Sequence, residues 1–428
     1  MEYTALHRLL NRPPGPIDDD LLRDAVTEQL AETDDLDWKR QLPERKGLGA
    51  PDSEYLKDVV AFANGRGGVL VYGVQEEKRA AQTRMHAGEW SEGLERSLTQ
   101  IPASHAHPSV LGVKAYPMGS DTQRAVAVVV PASAERPHLI GTAKDGFRAP
   151  VRNGADTVWM SERDLEAAYR DRFAERRNAA DALDRLYADA AAWTAPSELA
   201  WGVAVARPRV PAPLRDKPAR DDAANVVGAA RGIGYRMAQE HQHPLTSVDE
   251  RNPRPGLRRW VARNNKSEAA PWLHAHAGVH FDGAIWITAA LGGHKGPNNT
   301  EWQPHEFRAW RLETLVCDLF GLVKAAADHF GGHSYDVRLG VEWEGSERLL
   351  IAGQDNFGYA YTDGSVPLAS YTPVEATVDT DTDEAGIKAQ AIEFATDCVN
   401  QGGLQFLTAF TEPDPRYDDG TPRVMQWE

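Results

Sequence analysis

Cysteine is scarce in this sequence, with only Cys317 and Cys398 among 428 residues. Two thiols cannot build the disulfide framework of a small secreted domain, nor can they provide the cysteines of a structural zinc site. Both residues lie in apolar helical patterns, where a buried thiol is the usual outcome. The sequence therefore predicts two free, buried thiols.

Long apolar runs are missing as well. No stretch approaches the roughly 18 uninterrupted apolar residues that a membrane-spanning helix needs. Residues 1–16 contain no apolar segment followed by a small-residue cleavage site, as a secretory signal would. We therefore expect a cytoplasmic protein that does not cross a membrane.

Positive charge is in deficit, since the formal net charge is −16 at pH 7. This balance argues against a protein that coats nucleic acid with a bulk basic surface, but it leaves room for a local basic groove. More of the negative charge lies after Arg170 than before it, so the first part of the chain is the more favourable one for a polyanion. The length predicts about two or three domains.

The first part of the chain alternates between helical and strand patterns. Apolar spacing predicts helices at residues 18–31 and 53–63, the second with Ser53 as its N-cap. Residues 69–74 are apolar on both faces, which is typical of a central strand. Further strands are predicted at residues 110–116, 125–130 and 147–152. Ser161 and Asp164 resemble a capping box that opens a long helix.

The second part predicts another α+β domain. Residues 207–213 are rich in proline and arginine, which favours a linker. A strand at residues 335–343 and helices at 312–330 and 385–399 follow. We therefore predict an α/β (α+β) chain with a mixed-sheet domain at 1–175, a linking helix at 161–195 and an α+β domain of unknown role at 196–428.

Acidic residues fall where two predicted strands begin or end. Glu32 and Asp37, with Lys39, lie where a helix gives way to a strand, and Glu76 follows the central strand. If the two strands pair, these carboxylates meet at one end of the sheet, where a divalent cation or a shared proton would relieve their repulsion. We therefore predict a Mg²⁺ or Mn²⁺ site. The alternative is that Glu32 caps or salt-bridges a helix and Asp37 is a solvated edge residue.

These residues also belong to a longer pattern. Glu32 is followed by Asp37-Trp38-Lys39, a helix, residues 61–68 (Ala-Phe-Ala-Asn-Gly-Arg-Gly-Gly) and the strand 69–74. This string resembles the Schlafen AlbA-like domain, which shows a Glu, a second Glu followed by Phe-Lys, a helix, Phe-Ala-Asn with a Gly-Gly turn, and a strand ending in Gly-Val-Asp. Residues 148–154 and the helix after them are similar to the family's closing strand and helix, so the likeness covers about residues 18–175.

The resemblance implies an activity. In Schlafen nucleases three acidic positions form a metal-dependent endoribonuclease site that acts on transfer RNA and related RNAs. Carried over, Glu32, Asp37 and Glu76 become the metal ligands, and with Lys39, which would neutralise developing charge, they form the catalytic set. The sequence departs from the family at two positions, because Asp37 stands where Glu is usual and Gln75-Glu76 where Asp is usual.

Candidate nucleic-acid contacts lie near the same motif. The turn at residues 64–68 offers backbone N–H groups and glycines that allow a phosphate to approach, although a helix-to-strand reversal alone also requires such glycines. The side chains predicted to contact nucleic acid are Asn64, Arg66, Lys78, Arg148 and Arg152.

Two functional hypotheses follow. The first is a Schlafen-type endoribonuclease that cleaves transfer RNA or other structured RNA, used in defence against phage or stress. The second is a non-cleaving regulator that binds DNA or RNA through the same domain, while the second domain senses a ligand or partner. The resemblance also implies a symmetric dimer, because animal Schlafen proteins build a clamp from two such lobes and this chain has one.

Overall fold

A computed structural model describes residues 4–12, 15–50, 53–142, 144, 146–212, 217–239, 241–295, 302–354, 360–362 and 364–410. The chain divides into two compact units, Met1–Asp181 and Ala182–Glu428. The division falls within a helix that spans Glu162–Ala191. Helices and strands occur in both units, so the predicted α+β class is confirmed.

The first unit contains a mixed sheet with helices on both faces. Its helices, in the described residues, are α1 (Ala5–Leu9), α2 (Asp19–Thr27), α3 (Glu54–Asn64), α4 (Glu92–His105) and the beginning of α5 (Glu162–Ala191). Its strands are β1 (Leu36–Lys39), β2 (Gly68–Tyr72), β3 (Val74–Glu77), β4 (Ala80–Arg84), β5 (Ala106–His107), β6 (Lys114–Met118), β7 (Ala125–Val130), β8 (Leu139–Thr142), β9 (Gly146–Arg148), β10 (Pro150–Asn153) and β11 (Asp156–Trp159).

Several helix starts follow directly from side-chain caps. The Ser53 hydroxyl accepts a hydrogen bond from the Leu56 N–H, as expected for the N-cap of α3. At the start of α5, Ser161 and Asp164 each accept from the other's backbone N–H, which confirms the predicted capping box.

The main sheet of the first unit has the order β1-β2-β7-β6. Strand β1 lies at its edge and runs parallel to β2, whereas the remaining pairs are antiparallel. Leu70 and Tyr72 of β2 pack on the α3 side, and Val69 and Val71 pack on the α2 side. The double-sided burial expected of a central strand is therefore confirmed.

Two hairpins flank the edge strand. Strand β3 pairs with β4, and β10 pairs with β11 with Arg152 opposite Thr157. The strand predicted at residues 147–152 is in fact two strands that break at Ala149, whose carbonyl accepts from the Met160 N–H. The strand predicted at 110–116 lies further along the chain, at Lys114–Met118.

The second unit is an antiparallel sheet covered by helices. Its described helices are α6 (Arg220–Met237), α7 (Ala309–Phe330) and α8 (Glu384–Asn400), with short 3₁₀ turns at Pro244–Ser247 and Pro271–Leu273. Its strands are β12 (Trp201–Pro208), β13 (Arg254–Gly256), β14 (Arg259–Ala262), β15 (Ala275–His280), β16 (Ile285–Ala290), β17 (Glu306–Arg308), β18 (Ser334–Glu342), β19 (Leu350–Gln354), β20 (Ala360–Tyr361) and β21 (Val374–Asp379).

The prediction of a linker at residues 207–213 is wrong for its first two residues, which belong to a strand. The sheet order is β13-β14-β15-β16-β12-β18-β21, and Arg207 and Pro208 are the last residues of the interior strand β12, opposite Asp336 and Tyr335. Pro213 lies outside the described residues. The predicted strand at 335–343 and the helices at 312–330 and 385–399 are confirmed as β18, α7 and α8.

Helix α7 forms the centre of the second unit's core. It packs with α6, α8 and one face of the sheet, and its buried residues include Cys317. Cys317 and Cys398 are both buried and free, as predicted. None of the described helices combines the length and apolar character needed to cross a bilayer.

Candidate functional site

Strand β1 presents its polar side chains on the α3 side of the sheet. Side chains alternate along a strand, so Leu36 and Trp38 enter the core on the α2 side while Asp37 and Lys39 point the other way. Asp37 lies opposite Leu70 in the register, and Leu70 belongs to the core beneath α3. The edge strand thus places a carboxylate and an ammonium beside α3.

Lys39 lies among three carboxylates. Its Nζ atom is 3.0 Å from Oδ2 of Asp37, 3.1 Å from Oδ2 of Asp58 and 3.2 Å from Oε1 of Glu54. Burial lowers the pKa of Lys39, but the carboxylates of Asp58 and Asp37 outweigh this effect, so the pKa is raised and the ammonium stays charged. Burial raises the pKa of Asp58 in spite of Lys39.

Arg152 closes the cluster from the β10–β11 hairpin. Its Nη1 and Nη2 atoms both lie 3.3 Å from Oδ1 of Asp37, and its guanidinium lies over the Phe62 ring, 5.0 Å from the ring centre. Thr157, opposite Arg152 on the hairpin, donates to Oδ1 of Asp58 (3.1 Å). The Arg152 side chain is only 3% exposed and its charge is used by Asp37, so its contact with nucleic acid stays a prediction.

Glu32 and Glu76 form a second acidic group beside this cluster. Oε1 of Glu32 accepts from the Trp38 N–H (3.1 Å), and Glu76 is exposed on β3. Burial, together with Asp37, Glu76 and a hydrogen bond to Glu76, raises the pKa of the Glu32 carboxyl to about 7. Glu32 therefore keeps its proton up to about neutral pH, with the carboxylates of Glu76 and Asp37 within electrostatic reach.

Glu32 and Asp37 differ in how their charge is balanced. A cation could take the place of the Glu32 proton beside Glu76, whereas both oxygens of Asp37 are already held by Lys39 and Arg152. Within the described residues, no group of three or more His, Cys, Asp or Glu side chains is arranged as a ready ligand set. The three-carboxylate site therefore stays a prediction.

The Asn64 side chain is occupied by hydrogen bonds within the domain. Its amide nitrogen donates to the carbonyls of His138 (2.9 Å) and Pro150 (2.8 Å), and its oxygen accepts from the His138 N–H (2.6 Å). The residue is buried, so its contact with nucleic acid stays a prediction and the structure gives it an internal role. Asn64 joins the end of α3 to the segments before β8 and within β10.

The glycines of the turn after Asn64 are required by the fold itself. Gly67 has a φ of +80°, and a Cβ there would lie 2.7 Å from backbone atoms of Val130 and Ala132. At Gly68 a Cβ would collide with the Phe62 ring. Glycine is therefore required by the reversal from α3 into β2 and by close packing.

The other predicted contacts are at the surface. Arg66, Lys78 and Arg148 are all exposed. Lys78 lies in the β3–β4 turn with a φ of +54°, beside Arg79, which pairs with Asp156 at the turn of the β10–β11 hairpin (2.8 Å). The two hairpin turns are thus joined next to the acidic cluster.

Four residues of this region were missed by sequence reasoning: Glu54, Asp58, Thr157 and Trp159. A signal existed for Asp58, because it lies one turn after Glu54 in a helix whose neighbouring residues are apolar. Trp159 is 41% exposed, and the Arg148 guanidinium lies 4.6 Å from its ring centre. No local pattern distinguished this tryptophan from a core residue.

Residues 32–161 match the model of the Schlafen, AlbA_2 family, which is under a third of the chain. This part of the chain is similar to the Schlafen AlbA_2 domain. The resemblance predicted from the sequence is therefore confirmed, and the presence of this domain supports a function that involves nucleic acid. No curated protein matches the chain.

Two solved structures are similar to parts of the chain. The DIP2311 protein from Corynebacterium diphtheriae is 14% identical over 50% of this chain, with a TM-score of 0.24, and the match spans 37% of that protein's length. The N-terminal domain of a RecG-related protein from Nitrosomonas europaea is 20% identical over 32% of this chain and 93% of that domain, with a TM-score of 0.23.

Replacing Asn64 tests its structural role. N64A leaves the N–H of His138 and the carbonyls of His138 and Pro150 without their partner, and we expect a loss of about 3 kcal/mol in the free energy of unfolding. Urea denaturation measures this loss. Q100A, at an exposed position of α4, is the control and should change stability by less than about 0.5 kcal/mol. Equal stability of the two variants would contradict the role.

The raised pKa of Glu32 predicts a pH-dependent stability. Between its ordinary value of 4.5 and about 7, the folded state holds the proton more tightly than the unfolded state, so the carboxyl makes the wild type lose stability as the pH rises through this window. E32Q stays neutral and escapes this loss. In EDTA, the Tm of E32Q minus that of the wild type should grow from pH 5 to pH 8. E77Q, which removes an exposed carboxylate next to Glu76 on β3, is the control, and a flat difference for E32Q would refute the raised pKa of Glu32.

Proposed function

We propose that the Schlafen AlbA_2 domain of this chain cleaves RNA in a reaction that depends on Mg²⁺ or Mn²⁺, with transfer RNA or another structured RNA as substrate. The observation that carries the proposal is the setting of the Glu32 carboxyl, whose pKa is raised to about 7 by burial and by the neighbouring carboxylates of Asp37 and Glu76. Two carboxylates that need a proton to lie together are suited to a divalent cation in its place.

The residues of the cluster have distinct roles in this proposal. Glu32 and Glu76 would hold the ion, with Asp37 as the third carboxylate. A bound ion supplies a Lewis acid that polarises a phosphate oxygen and lowers the pKa of bound water. The ammonium of Lys39 is already surrounded by carboxylates, so we assign Lys39, with Arg152, to positioning Asp37 rather than to neutralising the phosphate.

An exposed aromatic platform lies along the same hairpin. Thr157 and Trp159 are two residues apart on β11 and therefore point to the same face, about 7 Å from each other along the strand. Thr157 bonds to Asp58 of the cluster, while Trp159 stacks with Arg148 at the surface. An exposed indole with an adjacent guanidinium is a suitable surface for an unpaired base.

Removing one carboxylate tests cleavage. We expect labelled transfer RNA to be cut in Mn²⁺ and to stay intact in EDTA, and E76Q and D37N to cleave at least about 100-fold more slowly, because each loses a charge that the ion needs. Binding of RNA by E76Q, measured by fluorescence anisotropy in EDTA, should stay equal or become tighter, since one negative charge is lost. At limiting Mn²⁺ the rate should rise with pH up to about 7, as Glu32 releases its proton.

The control for this experiment is E77Q, which removes the neighbouring exposed carboxylate of β3. It should retain the wild-type rate. Cleavage that persists in EDTA, or equal rates for E76Q and the wild type, would contradict the metal-dependent mechanism. RNA binding without cleavage under all conditions would favour the alternative, a non-cleaving DNA- or RNA-binding regulator.

Removing the exposed indole tests the platform. W159A should weaken binding of single-stranded RNA about tenfold, the loss expected for one base–aromatic stack. F173A is the matched control, because Phe173 is an exposed aromatic on α5 of the same unit. Fluorescence anisotropy measures both, and an equal affinity of W159A and F173A would remove Trp159 from the binding surface.

Two further parts of the hypothesis stay predictions. A symmetric dimer would supply a second lobe, and defence against phage or stress would be the setting in which RNA is cleaved. Both follow from the family resemblance.

A further inference from the structure

The second unit contains a small cavity with a buried arginine in its wall. The cavity is small and opens to solvent. It lies at the N-terminal end of α7, and its lining includes Arg311, Trp310, Trp272 and His243. All of these residues belong to the second unit.

Arg311 is buried without a counter-charge. It is only 9% exposed, and its Nη2 donates to two backbone carbonyls, those of Trp272 (2.5 Å) and Ala290 (2.9 Å). Its Nε has no hydrogen-bond partner. Among the residues that the structure describes, no carboxylate pairs with Arg311. A buried cation left in this state is costly, because carbonyl dipoles only partly replace its hydration.

The acidic groups nearby in sequence are used elsewhere. Asp318, two turns further along α7, accepts from His243 and from the Leu245 N–H (2.7 Å each). Glu313 accepts from the backbone N–H groups of Thr408 and Ala409. Burial and the charge of Arg308 lower the pKa of Arg311 to about 10, a direction that fits a cation with no anion beside it.

The end of α7 adds to the positive character of the cavity. The helix extends over 22 residues, has no acidic residue in its first turn, and receives no side-chain cap from Arg308 at the N-cap position. The N-terminal end of a helix carries a partial positive charge and favours anions. Arg311 and the helix end therefore act on the same small space.

We propose that this cavity binds an oxyanion, the phosphate or carboxylate group of a small ligand, with Arg311 as its charge partner. Nη2 is already taken by the two carbonyls, so the remaining N–H groups of the planar guanidinium fork would donate to an oxygen of the anion. Trp272 and Trp310 form apolar walls around the rest of the ligand, as in many small-molecule sites. In this proposal the second unit binds a ligand, and the proposal does not depend on whether the first unit cleaves RNA.

Titration of the full-length protein tests the site. Isothermal titration calorimetry with inorganic phosphate and, separately, with sodium acetate is compared with sodium chloride at equal ionic strength. We expect binding of one of the two anions to the wild type, and a Tm that rises with its concentration. Binding of phosphate indicates a phosphate-bearing ligand, and binding of acetate indicates a carboxylate.

Variants of Arg311 distinguish anion binding at this site from a general effect of salt on stability. R311M should bind the anion at least tenfold more weakly and lose the specific rise in Tm, and R311K should fall between R311M and the wild type, because lysine keeps the charge but not the fork. R231M, which removes an exposed arginine that pairs with Glu250, is the matched control and should respond like the wild type.

Two results would overturn the proposal. One is the absence of any binding heat for both anions with the wild type at millimolar concentrations. The other is an anion response in R311M equal to that of the wild type. The wild-type titration decides the matter even if R311M does not fold, and neither result depends on whether the first unit cleaves RNA.

Discussion

The buried carboxylate of Asp37 is the constraint around which the first unit's polar edge is organised. One of its oxygens is held by Lys39 and the other by Arg152, and the residue is only 4% exposed. A buried carboxylate that loses its partners costs several kcal/mol. Strand β1 and the β10–β11 hairpin must therefore stay together, and Asp58 draws α3 into the same arrangement through Lys39 and Thr157.

This pairing divides the acidic residues into two groups. Asp37, Asp58 and Glu54 share the charges of Lys39 and Arg152. Among the described residues, no cation pairs with Glu32 or Glu76, and the pKa of Glu32 is raised to about 7. The first group is neutralised by its ion pairs, whereas the second group has no positive partner. In the proposed role a divalent ion would bind first at the second group, with Asp37 beside it as the third carboxylate.

Local patterns predicted the framework, and distant contacts decided the roles of single side chains. The apolar residues of β2 and the caps at Ser53 and Ser161 depend only on neighbouring residues in the sequence, so they could be predicted. Arg152 resembled a surface residue, because its partner Asp37 lies 115 positions away. Asn64 likewise uses partners 74 and 86 positions away. Pro208 suggested a linker, yet it ends a strand because β18 lies beside it.

The charges of the domain also limit how it could hold RNA in the proposed role. Arg152 and Arg79 are engaged by Asp37 and Asp156, so the exposed cations among the predicted contacts are Arg66, Lys78 and Arg148. Three phosphate contacts release few counterions, so in the proposed role the electrostatic share of affinity would be small for a chain with a net charge of −16. Affinity would then depend on stacking at Trp159 and on the acidic site itself, where a bound ion would attract phosphate. In the proposed role, metal binding and RNA binding would therefore be coupled.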